Sequence, residues 1–429
     1  MGVIALTEAV EQVRARDTLA VPLGPGQPVA FLHALGERAD FEDLRVFAAL
    51  LIDEFPLFTR PGVKLYSGFF GPVERGLARS GFDVSFIPSD FRGFAGIAGR
   101  MRPRLMATAV APPDPDGWLS LSLHAGATVG ELQRCGRDPE RILIAEIQPG
   151  LPRTLGLPPD HPHALHVDDV DLIVESPRPP FTLPDDEPSE TDKAIAGHAL
   201  RYVHDGCTLQ TGIGGVPSEI VELLADGDGG DYGIHSEMFT EGLWKLHRAN
   251  KVTNRKGIHD GYSVTTFALG TSELYAWLDG NEQVRFLPVD QVNALDVIAR
   301  CRDFISINAA LAVDLMGQIV ADAIGPRQYS GIGGHFDFSF AAPFSPGGHS
   351  LTCLPSTVTI DGKVASRINA VLPAGSVVTT PRHAADVIIS EFGAAELAGK
   401  TVAERAEALI EIAHPDYRDE LRRDWATRA

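Results

Sequence analysis

Asp205-Gly206-Cys207-Thr208-Leu209-Gln210, then Gly212-Ile213-Gly214-Gly215, then Pro217 followed by Ile220, Val221 and Leu224: the fold turns on how this stretch is read. The first six residues read as strand-like around Cys207, Thr208 and Leu209, and the glycines form a turn. Pro217 opens a helix whose apolar residues recur on one face. Strand, tight turn and helix in that order make the unit from which parallel α/β sheets are assembled. An earlier stretch has the same order. Thr18-Leu19-Ala20-Val21 reads as a strand and Gly24-Pro25-Gly26 as a turn, and Pro28 opens a segment with Phe31, Leu32 and Leu35 at helical spacing.

Two further echoes link the halves. Asp314-Leu315-Met316-Gly317 stands between apolar arms as Asp114-Pro115-Asp116-Gly117 does, and Asp386-Val387-Ile388-Ile389 matches the pattern of Asp171-Leu172-Ile173-Val174. Their shared order favours an internal duplication. Between Ser176 and Pro188 lie five prolines with Asp185, Asp186 and Glu187, a linker composition. The expected organisation is therefore two related open α/β domains, residues 1–185 and 190–429. A chain of 429 residues is long enough for both to bury a core.

Other elements fit the same plan. Phe82 to Ile87 alternates apolar and polar residues as a half-buried strand does, whereas Ile142-Leu143-Ile144-Ala145 is a short apolar run suited to a strand buried on both faces. Arg102 to Ala111 and Trp118 to Leu121 form the arms of a hairpin around Pro112 to Gly117. Val46 to Ile52 is expected to be helical. The tail from Thr401 to Trp425 is expected to form two amphipathic surface helices divided at Pro415.

Composition narrows the function. With 44% hydrophobic residues, 22% charged residues and 43 glycines, the chain has the profile of a globular α/β protein. A formal net charge of −20 opposes any general attraction to nucleic acid or to an anionic membrane surface. Met1 to Leu6 has no basic leader region, and the apolar runs fall short of the roughly 20 residues of a membrane span. The expected location is the cytoplasm. Cys135, Cys207, Cys301 and Cys353 are far apart and contain no paired spacing, so buried free thiols are expected. His247, His259, His335 and His349 show no ligand spacing, and no metal is expected.

The chemistry centres on Tyr232-Gly233-Ile234-His235-Ser236-Glu237-Met238-Phe239. Glu237 sits among apolar residues where a desolvated carboxylate would make a nucleophile for a thioester carbonyl. The local pattern equally accommodates a helix-start acid for the segment running from Phe239 to Leu246. Gly212 to Gly215 can present backbone N–H groups to an anion or a polarised carbonyl, or form a turn without a ligand. Pro217 occupies the position where a dinucleotide fingerprint requires glycine, and no Gly-Lys-Ser/Thr follows. The same tetrapeptide recurs at Gly331-Ile332-Gly333-Gly334, and two such loops suit a thioester oxygen and a pantetheine arm.

These stretches carry a resemblance. LQTGIGGVPSEI (Leu209 to Ile220), GIHSEMFTEG (Gly233 to Gly242), NAALAVDLMGQI (Asn308 to Ile319), SGIGGHFDF (Ser330 to Phe338) and the run from Ser390 to Leu421 resemble the acetyl-CoA hydrolase/transferase family. Within it they are most similar to the 4-hydroxybutyrate and butyryl-CoA:acetate CoA-transferase branch. The N-terminal half matches more thinly, at Pro113 to Ser120, Ile144 to Glu146 and Pro152 to Thr154.

The resemblance implies two CoA-transferase-type domains with the active site between them, coenzyme A as acyl-CoA substrate, a small carboxylic acid as acceptor, and a homo-oligomer. It further implies that Glu237 becomes a glutamyl-CoA thioester by way of acyl anhydrides. Gln210, Gly212, Gly214 and Gly215 would then help hold the carbonyl oxygen, Asn308 would position the acyl intermediate, and Gly331, Gly333 and Gly334 would line the CoA side. Two positions depart from the branch pattern and bear on acyl preference: His335 where Gln is usual, and His349 where Lys is common. Acyl-CoA hydrolysis by the same glutamate is the alternative activity, and a CoA-binding protein without turnover is the third reading.

Overall fold

The computed structural model describes residues 2–184 and 187–427. Met1, Arg428 and Ala429 lie outside the described residues, as do Asp185 and Asp186 of the expected linker. The chain packs as two units, Met1–Leu183 with Val264–Val292, and Pro184–Ser263 with Asn293–Ala429. A division at the linker alone, 1–185 and 190–429, leaves out this return: the chain goes back to the first unit for Val264–Val292.

The first unit is built on β1 (Arg16–Ala20), β2 (Asp43–Ala48), β3 (Val63–Ser67), β4 (Val84–Phe86), β5 (Leu105–Val110), β6 (Ile142–Ile147) and β7 (Leu172–Glu175). They lie in the order β4-β3-β2-β1-β5-β6-β7, and all pairs are parallel. Successive side chains serve opposite faces. Leu19, Val21, Leu44 and Val46 enter one core, while Ala20 and Phe47 enter the other. A parallel sheet covered on both faces needs this kind of unbroken apolar strand.

The expected helix over Val46 to Ile52 is corrected: its first residues belong to β2, inside the sheet between β3 and β1. A continuous apolar run carries no period that separates strand from helix.

The second unit repeats the plan with β8 (Thr208–Thr211), β9 (Gly233–Ile234), β10 (Phe304–Ala309), β11 (His349–Cys353), β12 (Val387–Ser390) and β13 (Gly393–Glu396). Their order is β9-β8-β10-β11-β12-β13, parallel except for the final antiparallel pair. The run β2-β1-β5-β6-β7 thus has its counterpart in β9-β8-β10-β11-β12. Even the turns correspond. Asp114 N–H donates to Trp118 O at 3.0 Å and Asp314 N–H to Gln318 O at 3.1 Å, and each aspartate Oδ1 accepts the N–H two residues on at 3.0 Å. Gly117 at φ +84° and Gly317 at φ +93° close the two turns in a conformation that suits glycine.

The tail forms the helices Val402–Glu411 and Pro415–Ala426, the first with a Thr401/Glu404 capping box and the second with Pro415 in its first turn. Ala406, Leu409, Ile410 and Leu421 anchor them to the core around Val313 and Ile388. Among the described residues no helix is long and apolar enough to cross a membrane. All four cysteines are buried and free.

Candidate active site

In an open parallel sheet, ligands favour the crevice beyond the carboxyl ends of the strands where the order of connections reverses. In the second unit that point lies between β8 and β10, whose next strands in the chain run to opposite sides. Gln210 on β8 and Asn308 on β10 stand there, near the carboxyl ends of their strands. Register places Gln210 opposite Ser306. Ser306 Oγ donates to Gln210 Oε1 at 2.8 Å, Asn308 Nδ2 donates to the same oxygen at 3.1 Å, and Asn308 Nδ2 also reaches Ser306 Oγ at 2.8 Å. The two amides lock one another in place.

Beyond β8 the chain enters the first glycine loop. Gly214 lies at φ +114° and ψ 170°, a region essentially reserved for glycine, and the helix Gly215–Asp226 follows. A Cβ added at Gly212 or Gly214 would meet nothing within 4 Å, so both face open space. Gly215 differs: a Cβ there would lie 2.5 Å from Asp192 Oδ2, and its small size lets this helix approach the helix Glu190–Ala199. Ile213, between the open glycines, is 56% exposed.

Glu237 is brought to this region by β9. His235 N–H donates to Leu209 O at 3.1 Å, and Ser236 Oγ donates to Thr211 O at 3.1 Å, which ties the chain just before Glu237 to the chain just before Gly212. His235, Ser236, Met238 and Phe239 are buried, while Glu237 between them keeps part of its surface exposed. The helix-start reading does not hold. Thr240 caps the helix Glu241–Arg248 by accepting from Leu243 N–H, and Glu241 supplies its first-turn acid.

Asn293 Nδ2 donates to Glu237 Oε2 at 2.7 Å and to Asp337 Oδ2 at 3.2 Å. Gly334 N–H also donates to the Glu237 carboxylate. A Cβ on Gly334 would overlap Glu237 Oε2 and lie 2.6 Å from Asn293 Nδ2, so the close approach depends on glycine. Burial pushes the Glu237 carboxyl up to about 7; the Asn293 hydrogen bond opposes the rise, the Asp337 charge adds to it, and the Gly334 N–H again opposes it. The result is a carboxylate of raised basicity that accepts from Asn293 Nδ2 and Gly334 N–H.

The second glycine loop therefore meets Glu237 through Gly334. Gly331 is buried, and Gly333 turns at φ +54°. His335 begins the helix His335–Ala341, where it is buried and bonded through Nε2 to Thr380 Oγ1 at 3.0 Å. Burial lowers its pKa to about 4, so it is neutral at physiological pH. His349 lies elsewhere. It is the first residue of β11, three residues before Thr352, which pairs with Asn308, and so about 10 Å back along the strand. There it pairs with Asp386 Oδ2 at 3.0 Å.

Asn293, Asp337 and Ser306 were not singled out in the sequence. Asp337 lay within the SGIGGHFDF stretch, and Asn293 stands as one polar residue among Val292, Ala294 and Leu295. Those were the only local signals. The first unit's counterpart of the glycine loop is filled by its own side chains. Glu146 on β6 accepts from Ala30 and Phe31 N–H at 3.1 and 2.8 Å, and a Cβ on Gly26 would overlap the His124 ring.

Comparison with known proteins agrees with this architecture. Residues 270–425 match the acetyl-CoA hydrolase/transferase C-terminal domain. The chain is 32% identical to the 4-hydroxybutyrate coenzyme A transferase of Clostridium kluyveri, over 99% of this chain and 97% of that protein. It is 42% identical to a probable butyrate:acetyl-CoA coenzyme A-transferase of Syntrophomonas wolfei, over 66% of this chain and 63% of that one. The crystal structure of RipA from Yersinia pestis superposes with a TM-score of 0.88 at 33% identity, covering 99% of this chain and 97% of that one. The chain belongs to the acetyl-CoA hydrolase/transferase family, a family of enzymes.

Proposed function

We propose that the protein is a CoA-transferase that moves CoA from an acyl-CoA to a small carboxylic acid through a covalent thioester on Glu237. The observation that carries this is the Glu237 carboxylate, held by Asn293 and Gly334 and raised to about 7. A carboxylate of that basicity, removed from most of its water, attacks a thioester carbonyl more readily than an ordinary one.

The steps balance without a net proton. A Glu237 oxygen bonds to the acyl carbon, the C–S bond breaks, and CoA leaves as thiolate from an acyl-glutamyl anhydride. The thiolate then attacks the glutamyl carbonyl and expels the first carboxylate, leaving glutamyl-CoA. An incoming carboxylate reverses the two steps, so the new acyl-CoA departs and Glu237 is restored. In this scheme Gln210, Gly212, Gly214 and Gly215 stabilise the thioester oxygen as it becomes negative. Asn308 orients the acyl intermediate, and Gly331, Gly333 and Gly334 line the CoA side. The reading includes a cytoplasmic location and a homo-oligomer, the latter tested by sedimentation of the native protein.

Glu237→Ala is expected to abolish exchange, and acyl-CoA alone is expected to leave a CoA-sized, borohydride-sensitive adduct on the Glu237 peptide of the wild-type enzyme. Full activity in the variant overturns the proposal. CoA release that is indifferent to every added carboxylic acid turns the assignment to acyl-CoA hydrolysis by the same glutamate.

A further inference from the structure

Asp337 is fully buried, the third residue of the helix His335–Ala341. A carboxylate in that position is costly unless it is hydrogen-bonded. Its Oδ2 accepts from Asn293 Nδ2 at 3.2 Å, and the same nitrogen lies 2.7 Å from Glu237 Oε2. An asparagine amide nitrogen has two hydrogens, and an ionised carboxylate only accepts. One amide therefore serves two carboxylates, a hydrogen to each.

This arrangement decides which way Asn293 faces. Asn293 is fully buried, and its Oδ1 has no hydrogen-bond partner among the described residues. Taken alone, Asn293 gains nothing from that orientation at its oxygen end. A flip would set Oδ1 against both Glu237 and Asp337, oxygen against oxygen. With Asp337 neutral and able to donate, the flipped amide becomes acceptable on one side and Glu237 loses its donor.

The geometry points to Asp337 as a positioning residue for the transfer reaction: it fixes the Asn293 amide so that an N–H faces Glu237 Oε2 throughout the cycle, leaving the other carboxylate oxygen to attack and Oε2 to remain as the glutamyl carbonyl oxygen. This rests on the reading of Glu237 as nucleophile. The need lasts beyond the first attack. Once Glu237 is esterified its negative charge is gone, and its own hold on Asn293 weakens. Asp337 keeps the donor aimed at the glutamyl carbonyl oxygen, which becomes negative when the acceptor carboxylate attacks.

The test combines Asp337→Asn, Asn293→Ala and the double variant. Misplacing a group that acts on the reacting atoms costs about 10- to 100-fold in rate. Asp337→Asn is expected to lower kcat by that factor while the KM for acyl-CoA stays within about threefold. In the Asn293→Ala background the same change is expected to add little, because Asp337 acts through Asn293. Asp337→Glu, which restores a carboxylate, is expected to recover part of the loss and serves if the asparagine variant does not fold. Wild-type kcat in a folded Asp337→Asn protein overturns the role, as does an undiminished effect of Asp337→Asn in the Asn293→Ala background. Absence of any wild-type adduct on Glu237 overturns the nucleophile reading and this role with it. An adduct in the wild type together with undiminished transfer in Asp337→Asn removes the Asp337 role alone.

Discussion

At the scale of one residue, the proposed reaction makes the rate depend on the proton on Glu237. Only the carboxylate attacks, and burial together with the Asp337 charge raises its pKa to about 7. The sign follows directly: the folded enzyme takes up this proton as pH falls through 7, and the reactive fraction then drops about tenfold per pH unit. The rate of adduct formation with acyl-CoA alone is therefore expected to be level above pH 8 and about 100-fold lower at pH 5. Using the half-reaction avoids titration of the acceptor acid. A glutamate with the ordinary value of 4.5 would leave the rate almost flat across this range, so a flat profile counts against the raised pKa. The groups that set this value were the least legible in the sequence. Asn293 is 56 positions from Glu237 and 44 from Asp337, and only the folded chain brings the three together.

At the scale of the element, the first glycine loop separates two reasons for glycine. Gly214 is needed by the backbone, since φ +114° with ψ 170° strains any other residue by about 1–3 kcal/mol. Gly212 has no positive φ and no neighbour within 4 Å of a Cβ. Gly214→Ala is expected to lower the melting temperature and the rate together. Gly212→Ala is expected to keep the melting temperature, and any loss of rate then reports a ligand that occupies the open space. Equal destabilisation by both substitutions, measured by thermal unfolding, would remove the distinction. This loop was readable because strand, glycine turn and helix leave a strong local pattern. The strand Val63–Ser67 carries the alternation of a half-buried strand but only over five residues, a weak signal by its shortness, and the apolar run that enters β2 has no interruption to separate strand from helix.

At the scale of the whole molecule, the same strand order is used twice but the two glycine loops are packed differently. The strand order of the first unit recurs in the second, while Glu146 and His124 fill the first unit's own loop. Both copies were visible as repeated turns and strands, whereas the filling of one was not, since Glu146 lies 116 positions from the helix start it caps. The same scale governs encounter with substrate. The chain carries a formal charge of −20, and acyl-CoA brings further negative charge on its phosphates. Like charges repel over a screening length that shrinks from about 30 Å at 0.01 M salt to about 8 Å at 0.15 M. Added potassium chloride is therefore expected to raise kcat/KM for acyl-CoA by a few-fold over that range, the reverse of the fall that marks electrostatic steering. The experiment is steady-state kinetics at limiting acyl-CoA with the acceptor saturating. Because kcat is governed by groups already inside the site, it is expected to move much less than kcat/KM. A fall in kcat/KM would mean that a local cationic surface outweighs the net charge at the distances where the two molecules meet.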